Sequence, residues 1–316
     1  MTIEINPNRY NRSAEEQEAL RDIVSKANAD AAANWDDVAW HKSMAAALTG
    51  AIYEGFQHED VLGLMANVEN LALGQRSFVS ETRGLNVHWM AKGGKPNAST
   101  INTKSFEITG DTIAFHVYDS EEKMKSNFAE TSSTLIDLSV ERMSSTINQR
   151  VFGLFQSATP TSGANWTSGF SLATLNTALA RVRDASKSRE VSIIGRATMT
   201  DQIMDEILGA SGNGGGFLPE TNEQLIQKGV LGTYRGAKII TLTNYQDEDD
   251  VSFIPGNELF VAAKDASKFA YWGGLESKEY VEQDNWYWHY LAKRVFGGVV
   301  HRPERLHRFV DPGVDA

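Results

Sequence analysis

The chain of 316 residues contains no cysteine. Disulfides, thiol catalysis and cysteine-ligated metals are therefore excluded, and synthesis in a reducing compartment is a natural fit. No run of eighteen apolar residues occurs, so no helical membrane span is expected. The opening stretch MTIEINPNRYNRSAEEQEAL has neither a basic start nor an apolar core and does not read as a signal peptide. Tracts of Lys and Arg are absent, and the net charge is -11. Gripping phosphates requires a basic surface, so sequence-specific nucleic-acid binding is not expected. Lying close to nucleic acid without gripping it is compatible with this charge.

Catalytic and cofactor motifs are missing as well. In GGKPNAST, Pro96 follows Lys95 where a phosphate-binding loop has Ser or Thr. The loop GNGGGF lacks the third glycine at dinucleotide-binding spacing and reads as a mobile loop. His58-Glu59 has no second histidine at zinc-protease spacing, and GASGN ends in Asn213 where a nucleophile elbow needs glycine. His301 and His307 are six apart, which suits neither helical nor strand chelation, and they read as surface residues at a strand end. Asp247, Glu248, Asp249 and Asp250 form an acidic run without the EF-hand pattern and read as a solvated loop. Trp286, Trp288 and Tyr290 alternate on one face and read as core. No cofactor or metal is expected, and the chain reads as a structural or interaction protein rather than an enzyme.

What is present is an ordered series of elements. Ser13 and Glu16 have capping-box spacing and open a helix to about residue 33. Helical spacing recurs over about 36–54 and over 58–73, the latter through Val61, Leu62, Met65, Val68 and Leu71. Residues 84–117 then read as the two legs of one long hairpin around a polar centre containing Gly93, Gly94 and Pro96. Leu85, Val87 and Trp89 share one face of the first leg. In the second leg Phe106 and Ile108 have one parity, and Ile113, Phe115 and Val117 the opposite. A one-residue offset moves every side chain to the other face, so a turn or bulge is expected at Thr109-Gly110-Asp111. A two-stranded ribbon is marginally stable alone, and the nearby sequence offers nothing to cover it.

Asp119 and Glu122 have the spacing of a helix start. Apolar residues then recur at Met124, Phe128, Leu135, Leu138, Met143, Ile147, Val151 and Leu154. One helix of roughly 38 residues, about 57 Å long, is expected. The alternative is two helices broken at Thr131-Ser132-Ser133. Short alternating elements follow: a helix in SLATLNTALARVRDA, a buried strand in EVSIIGRA, and a helix in TMTDQIMDEILGA with Thr200 as a candidate cap. GVLGTYRGAKIITLTN reads as a tight turn feeding a strand, and ELFVAAKDASKFAYWGG as strand and turn. The aromatic C-terminal stretch reads as long strands with a bend at Gly297-Gly298.

The order of these elements resembles the major capsid proteins of tailed bacteriophages, the Hong Kong 97-type α+β capsid fold. The resemblance covers about residues 60–310. It is carried by ETRGLNVHWMAKGG with FEITGDTIAFHVYDSEEKMKSNFAE, by GVLGTYRGAKIITL, and by the stretch from NELFVAAKD to VVHRPERL. It implies an N-terminal helical arm over 1–77 and an extended hairpin, the E-loop, over 78–118. It further implies a peripheral (P) domain with a long spine helix over 119–167, an axial (A) domain over 168–274, and P-domain return strands over 275–316.

Inter-subunit contact through the E-loop would fall to Leu85, Val87, Trp89, Lys92, Gly93, Gly94, Lys95, Phe115 and Val117. A loop near the capsomer axis would comprise Ser211, Gly212, Asn213, Gly214, Gly215 and Gly216. The implied function is a subunit of pentamers and hexamers in an icosahedral head around double-stranded DNA. It would be made in the host cytoplasm and reside in the virion. The implied partners are further copies of the chain, a separate scaffolding protein, a portal and a decoration protein. The founding member cross-links an E-loop lysine to an asparagine of a neighbour. Here Lys92, Lys95 and Lys104 read as ordinary surface lysines. Two alternatives are an encapsulin, a cellular compartment of the same fold, and a metal-dependent hydrolase using Asp247, Glu248, Asp249 and Asp250 with a histidine.

Overall fold

A computed structural model describes residues 42, 45–46, 48–53, 55, 62–83, 102–120, 128–186, 190–210, 230–242, 254–282 and 287–313. The positions described between 42 and 55 are helical, as the spacing predicts. Ala45, Leu48, Ala51 and Ile52 are fully buried and fall on one helical face.

The expected helix over 58–73 is cut short. Among the described residues there, only α1 (Leu62–Met65) is helical. The chain then extends into β1 (Asn67–Leu71), which pairs in parallel with β10 (Ser267–Glu282), from Asn67 opposite Lys268 to Leu71 opposite Trp272. Val68 faces the main core and Leu71 the opposite side. Over five residues a spacing of three is compatible with either helix or strand, and the free edge of β10 decides the outcome.

A four-stranded sheet runs in the order β1, β10, β11 (Tyr287–Val300), β4 (Asp111–Ser120). Its core face carries Phe269 and Tyr271 of β10 and Trp288, Tyr290, Ala292 and Phe296 of β11. The expected bend at Gly297-Gly298 is absent, since both residues stay paired, with Ala270 and Phe269. They are small because other groups approach closely. A Cβ at Gly297 would sit 2.1 Å from the Thr109 carbonyl oxygen, and one at Gly298 would sit 2.1 Å from the Phe269 ring. The register shift lies instead between Trp272 and Glu276, where Gly273 has φ 69°.

Helix α2 (Phe128–Ala158) is continuous over 31 residues, including Thr131-Ser132-Ser133. At 1.5 Å per residue it is about 46 Å long. It does not begin at Asp119 as expected. Asp119 and Ser120 end β4, opposite Trp288 and Tyr287, and the Asp119 carboxylate accepts the Ser120 N–H. The strand pairing takes the residues whose spacing imitates a cap. Ile136, Val140, Met143, Ile147 and Val151 form the buried stripe, whereas Leu138 lies on the outer side, 42% exposed.

Helix α2 covers the core face of the first sheet and reaches one face of a second. That six-stranded sheet has the order β5 (Trp166–Ser168), β12 (Leu306–Val310), β9 (Glu258–Ala263), β6 (Val191–Gly195), β8 (Ala237–Thr241), β7 (Val230–Tyr234). Phe152 meets Phe260 edge-on, with ring centres 4.8 Å apart. The other face is covered by α3 (Leu172–Ala185) and α4 (Ala197–Ala210), through Leu175, Leu179 and Val182 against Ile193, Val261 and Phe309. With both faces covered, β6 and β9 are buried along their length, which explains their mostly apolar sequences, VSIIG and ELFVAA.

Ser171 caps α3 with a reciprocal bond to Thr174. Thr200, the expected cap of α4, lies inside the first turn and turns its hydroxyl back to the Arg196 and Ala197 carbonyls. The expected tight turn is Arg235-Gly236, with φ 49° and 78°. Two successive left-handed residues suit the twist of a hairpin.

Sheet membership near the expected domain boundaries is as follows. β12 lies in the six-stranded sheet beside β9, although 275–316 reads as return strands to the other unit. β10 begins at Ser267 in the four-stranded sheet, although the expected boundary is 274.

Candidate intersubunit surface

The hairpin foreseen in the sequence divides between two structures. β2 (Ser77–Arg83) pairs antiparallel with β3 (Asn102–Ile108), from Ser77 opposite Ile108 to Arg83 opposite Asn102. The first leg is thus Ser77–Arg83 at its base. β4, expected to continue the second leg, instead joins β11 in the four-stranded sheet. The phase flip at Thr109-Gly110-Asp111 is a change of sheet. Each side chain keeps its proper face, but the two strands belong to different sheets.

The base of the ribbon is firmly held. Ile108 packs on Ala270 and Trp272, with Leu71, Val79, Val295 and Val299 around them. The Trp272 indole N–H donates to the Gln75 carbonyl at 2.7 Å. The Glu69 carboxylate accepts from the Ser77 hydroxyl and pairs with Lys268, each at 2.8 Å. The Lys268 ammonium holds that carboxyl below the usual carboxylate range. A Cβ at Gly110 would come within 2.6 Å of Val295, so the crossover needs glycine for close approach.

Beyond the base the ribbon is bare. Asn102, Thr103, Lys104 and Ser105 are exposed, and Phe78 is 48% exposed. Seven residues per strand extend about 23 Å. The inner end is covered, with Ser77 and Ile108 buried, and residues 102–105 stay exposed.

Phe115 and Val117, expected at an intersubunit contact, pack half-buried on the core of their own chain. Their cross-strand partners in β11, Ala292 and Tyr290, supply the reason. Leu85, Val87, Trp89, Lys92, Gly93, Gly94 and Lys95 lie outside the described residues, as do Ser211, Gly212, Asn213, Gly214, Gly215 and Gly216, the run 247–250 and Trp286. Trp288 and Tyr290 are buried as expected.

His307, expected at the surface, is only 6% exposed. It sits in β12 between β5 and β9. Burial, with help from the Arg181 charge, lowers its pKa to about 4. Among the described residues no group of three or more His, Asp or Glu could hold a metal, and no helix is long and apolar enough to cross a membrane.

A second surface escaped the sequence reading. On the open face of the four-stranded sheet the His289 ring stacks on Tyr280, 4.5 Å away, and meets His116 through a 2.9 Å ring-nitrogen hydrogen bond. Tyr118 lies 5.7 Å from His289, is 63% exposed and meets Tyr287 edge-on. Beside them a groove of about 420 Å³ runs between Ala114, His116, Lys278, Leu291 and Lys293. The alternation of Ala114, His116 and Tyr118 with the core-facing Phe115 and Val117 was the available signal, but it does not show which strand lies alongside.

A long helix thus lies across two sheets, one of them closed by helices on its far face. The chain belongs to the family described as "SPbeta prophage-derived putative capsid protein YonB", whose model matches residues 50–286, well over half of the chain. It is a capsid protein of phage type. Solved structures agree in fold. Mycobacterium phage Adephagia aligns with TM-score 0.56 at 12% identity, covering 81% of this chain and 91% of that one. The mature capsid of bacteriophage PhiM1 gives 0.53 at 9% identity, over 80% and 87%. A virus-like particle from Pyrococcus furiosus gives 0.50 at 12% identity, over 83% and 97%. No curated protein sequence matches.

Proposed function

We propose that this chain is the major head subunit of a tailed bacteriophage, assembling into pentamers and hexamers of an icosahedral shell around double-stranded DNA. The observation that carries this function is the ribbon. It leaves a rigid base, is exposed along most of its length, and is too thin to be stable by itself. A neighbouring copy that covers it supplies the missing burial.

The ribbon with residues 84–101 serves as the E-loop, α2 as the spine of the P domain with the four-stranded sheet, and the six-stranded sheet as the A domain. Head-to-tail contacts of this kind close into rings when the rotation allows. Leu85, Val87 and Trp89 contribute apolar contact to the next subunit. Gly93 and Gly94, with the neighbouring Lys92 and Lys95, let the tip adapt to non-equivalent positions. Residues 211–216 lie near the capsomer axis. The acidic chain encloses DNA without adsorbing it. The protein acts without catalysis, is made in the host cytoplasm, resides in the virion, and works with a separate scaffolding protein, a portal and a decoration protein.

Deleting residues 91–104 tests the role of the ribbon. The expected product is a folded, soluble subunit that forms no shells in negative-stain images, and normal particles from this deletion would refute the role.

The likeness to the Pyrococcus furiosus particle supports one alternative, a cellular compartment. The match to a prophage-derived family favours the phage head. Nuclease-resistant DNA inside purified particles identifies a head, and an enclosed enzyme identifies a compartment.

A further inference from the structure

The two larger sheets end in four edge strands, β1 and β4 in the first, β5 and β7 in the second. A strand edge offers unpaired N–H and C=O groups, and natural proteins guard it by shortness, bulges, proline or charge. β5 has three residues and β1 five. β7 has five, with a register shift between Val230 and Gly232. β4 has ten, DTIAFHVYDS, paired with β11 without a break. It contains no proline, lysine or arginine, and its two carboxylates, Asp111 and Asp119, stand near its ends. Among the described residues it is the one long unguarded edge of these sheets. That edge is open. Thr112, Ala114, His116 and Tyr118 are exposed. Phe115 and Val117 stay half-buried although their partners in β11, Ala292 and Tyr290, are buried. The missing cover belongs on the far side of β4.

The strand is complementary to itself in one register. Residues opposite each other must share a face, so an antiparallel copy can be centred on a residue but not between two. Centred on Phe115, the pairing sets Asp111 against Asp119 at both ends, and like charges directly opposite are destabilising. Centred on Ala114 or Val117, only residues 111–117 or 114–120 of β4 overlap. Centred on His116, residues 112–120 of each copy pair. Phe115 then meets Val117, Thr112 meets Ser120, and the large Tyr118 lies beside the small Ala114. Ile113 faces Asp119 near the ends, and no two carboxylates meet.

We propose that β4 pairs antiparallel with β4 of a second copy about a twofold axis, His116 opposite His116, so that two four-stranded sheets become one continuous sheet. A twofold contact brings the same patch of both copies together and needs that patch to be self-complementary. The choice of a second copy rests on the proposed head, since an icosahedral shell is built of copies and contains twofold axes.

The chain has no cysteine, so an introduced thiol reports its own neighbour. Full-length His116→Cys, oxidised in mildly alkaline buffer, should run in non-reducing denaturing gels mainly at twice the chain's 34.8 kDa, and reductant should return it to the single chain. Ala114→Cys is the control on the same face. Its counterpart in the second copy would lie about 13 Å away along the strand, beyond the roughly 7 Å between Cα atoms that a disulfide spans. It should stay a single chain. The double variant Thr112→Cys with Ser120→Cys, whose positions oppose each other, should cross-link too, and it covers the case in which His116→Cys does not fold. No cross-link in the His116 and double variants, or cross-linking at position 114 as strong as at 116, overturns the inference. Negative-stain images of the same samples separate the two readings. Shells without the cross-link refute the strand pairing alone, whereas cross-linked dimers without shells refute the head and leave the pairing standing.

Discussion

Substitution of Gly297 by alanine probes the joint between the ribbon and the body. Gly297 lies in β11, beneath the point where β3 passes into β4. A Cβ there would stand 2.1 Å from the Thr109 carbonyl oxygen, 2.9 Å from its carbon and 3.0 Å from the Gly110 Cα. All three are backbone atoms, so no side chain can swing away. Ordinary contact would require the crossover to lift by about 1 Å from β11. A Cβ at the neighbouring Gly110 would likewise meet Val295 at 2.6 Å and Trp272 at 2.9 Å. Overpacking of a well-filled site costs about 1–3 kcal/mol, and a purely backbone clash belongs at the top of that range. Gly153 in α2 is the matched control. A Cβ there meets nothing within 4 Å, and glycine within a helix is about 0.5–1 kcal/mol worse than alanine. Gly153→Ala should therefore stabilise while Gly297→Ala destabilises. Urea unfolding of the two purified variants beside the parent measures both. The Gly297 variant should also lose shell formation beyond its stability loss, because the lifted crossover tilts the ribbon. A Gly297→Ala chain as stable as the parent would refute the packing argument. One that is destabilised yet assembles normally would refute the link between joint and assembly.

Two other substitutions test the second sheet. Glu258 accepts two bonds from Arg308, at 2.6 and 3.0 Å, and one from Gln156 at 2.9 Å, joining β9, β12 and α2. Glu258→Ala leaves a largely buried guanidinium unpaired and should cost about 3–5 kcal/mol in chemical denaturation. A loss below about 1 kcal/mol would mean that the pair contributes little. His307 takes up a proton near pH 6.5 when unfolded but only at about 4 when folded. Between these values the unfolded chain binds more protons, so stability should fall as pH drops from 6.5 to 4, by at most on the order of 3 kcal/mol. His307→Gln should remove that part of the slope, and identical slopes in both proteins would exclude His307 as its source.

Local signals and distant partners were not equally legible in the sequence. The mostly apolar runs of β6 and β9, the 3.6-residue stripe of α2 and the Arg235-Gly236 turn each carry their cause within a few residues. β1 does not. Its partner lies some two hundred positions along the chain, and nothing in Asn67–Leu71 encodes the free edge of β10. The same holds for Asp119, whose cap-like spacing yields to pairing with Trp288. It holds for His307 too, placed in the interior by neighbours from both β5 and β9. The phase flip at residues 109–111 was visible because a parity error is local. That the two halves enter different sheets was not, because the partner of β4 lies in β11. The exposed aromatic face around His116 and His289 likewise exists only once β4, β10 and β11 are side by side.

In the proposed shell, the contrast between the base of the ribbon and its outer part bears on how one sequence would occupy different positions. Its base is fixed by Ile108, Trp272, Gly110 and Gly297, where contacts are too close to permit rotation. Among the described residues, 102–105 stay exposed, so on the proposed reading the surface that the ribbon meets supplies its order. Protein interiors are close-packed and resist small deformations, whereas an uncovered two-stranded ribbon bends at little cost. In the proposed shell, adaptation to pentamer and hexamer neighbours would therefore belong to the outer ribbon and the glycines beyond it, while the base would set the direction of reach. Changes at the base should alter the geometry of assembly, and changes further out its strength.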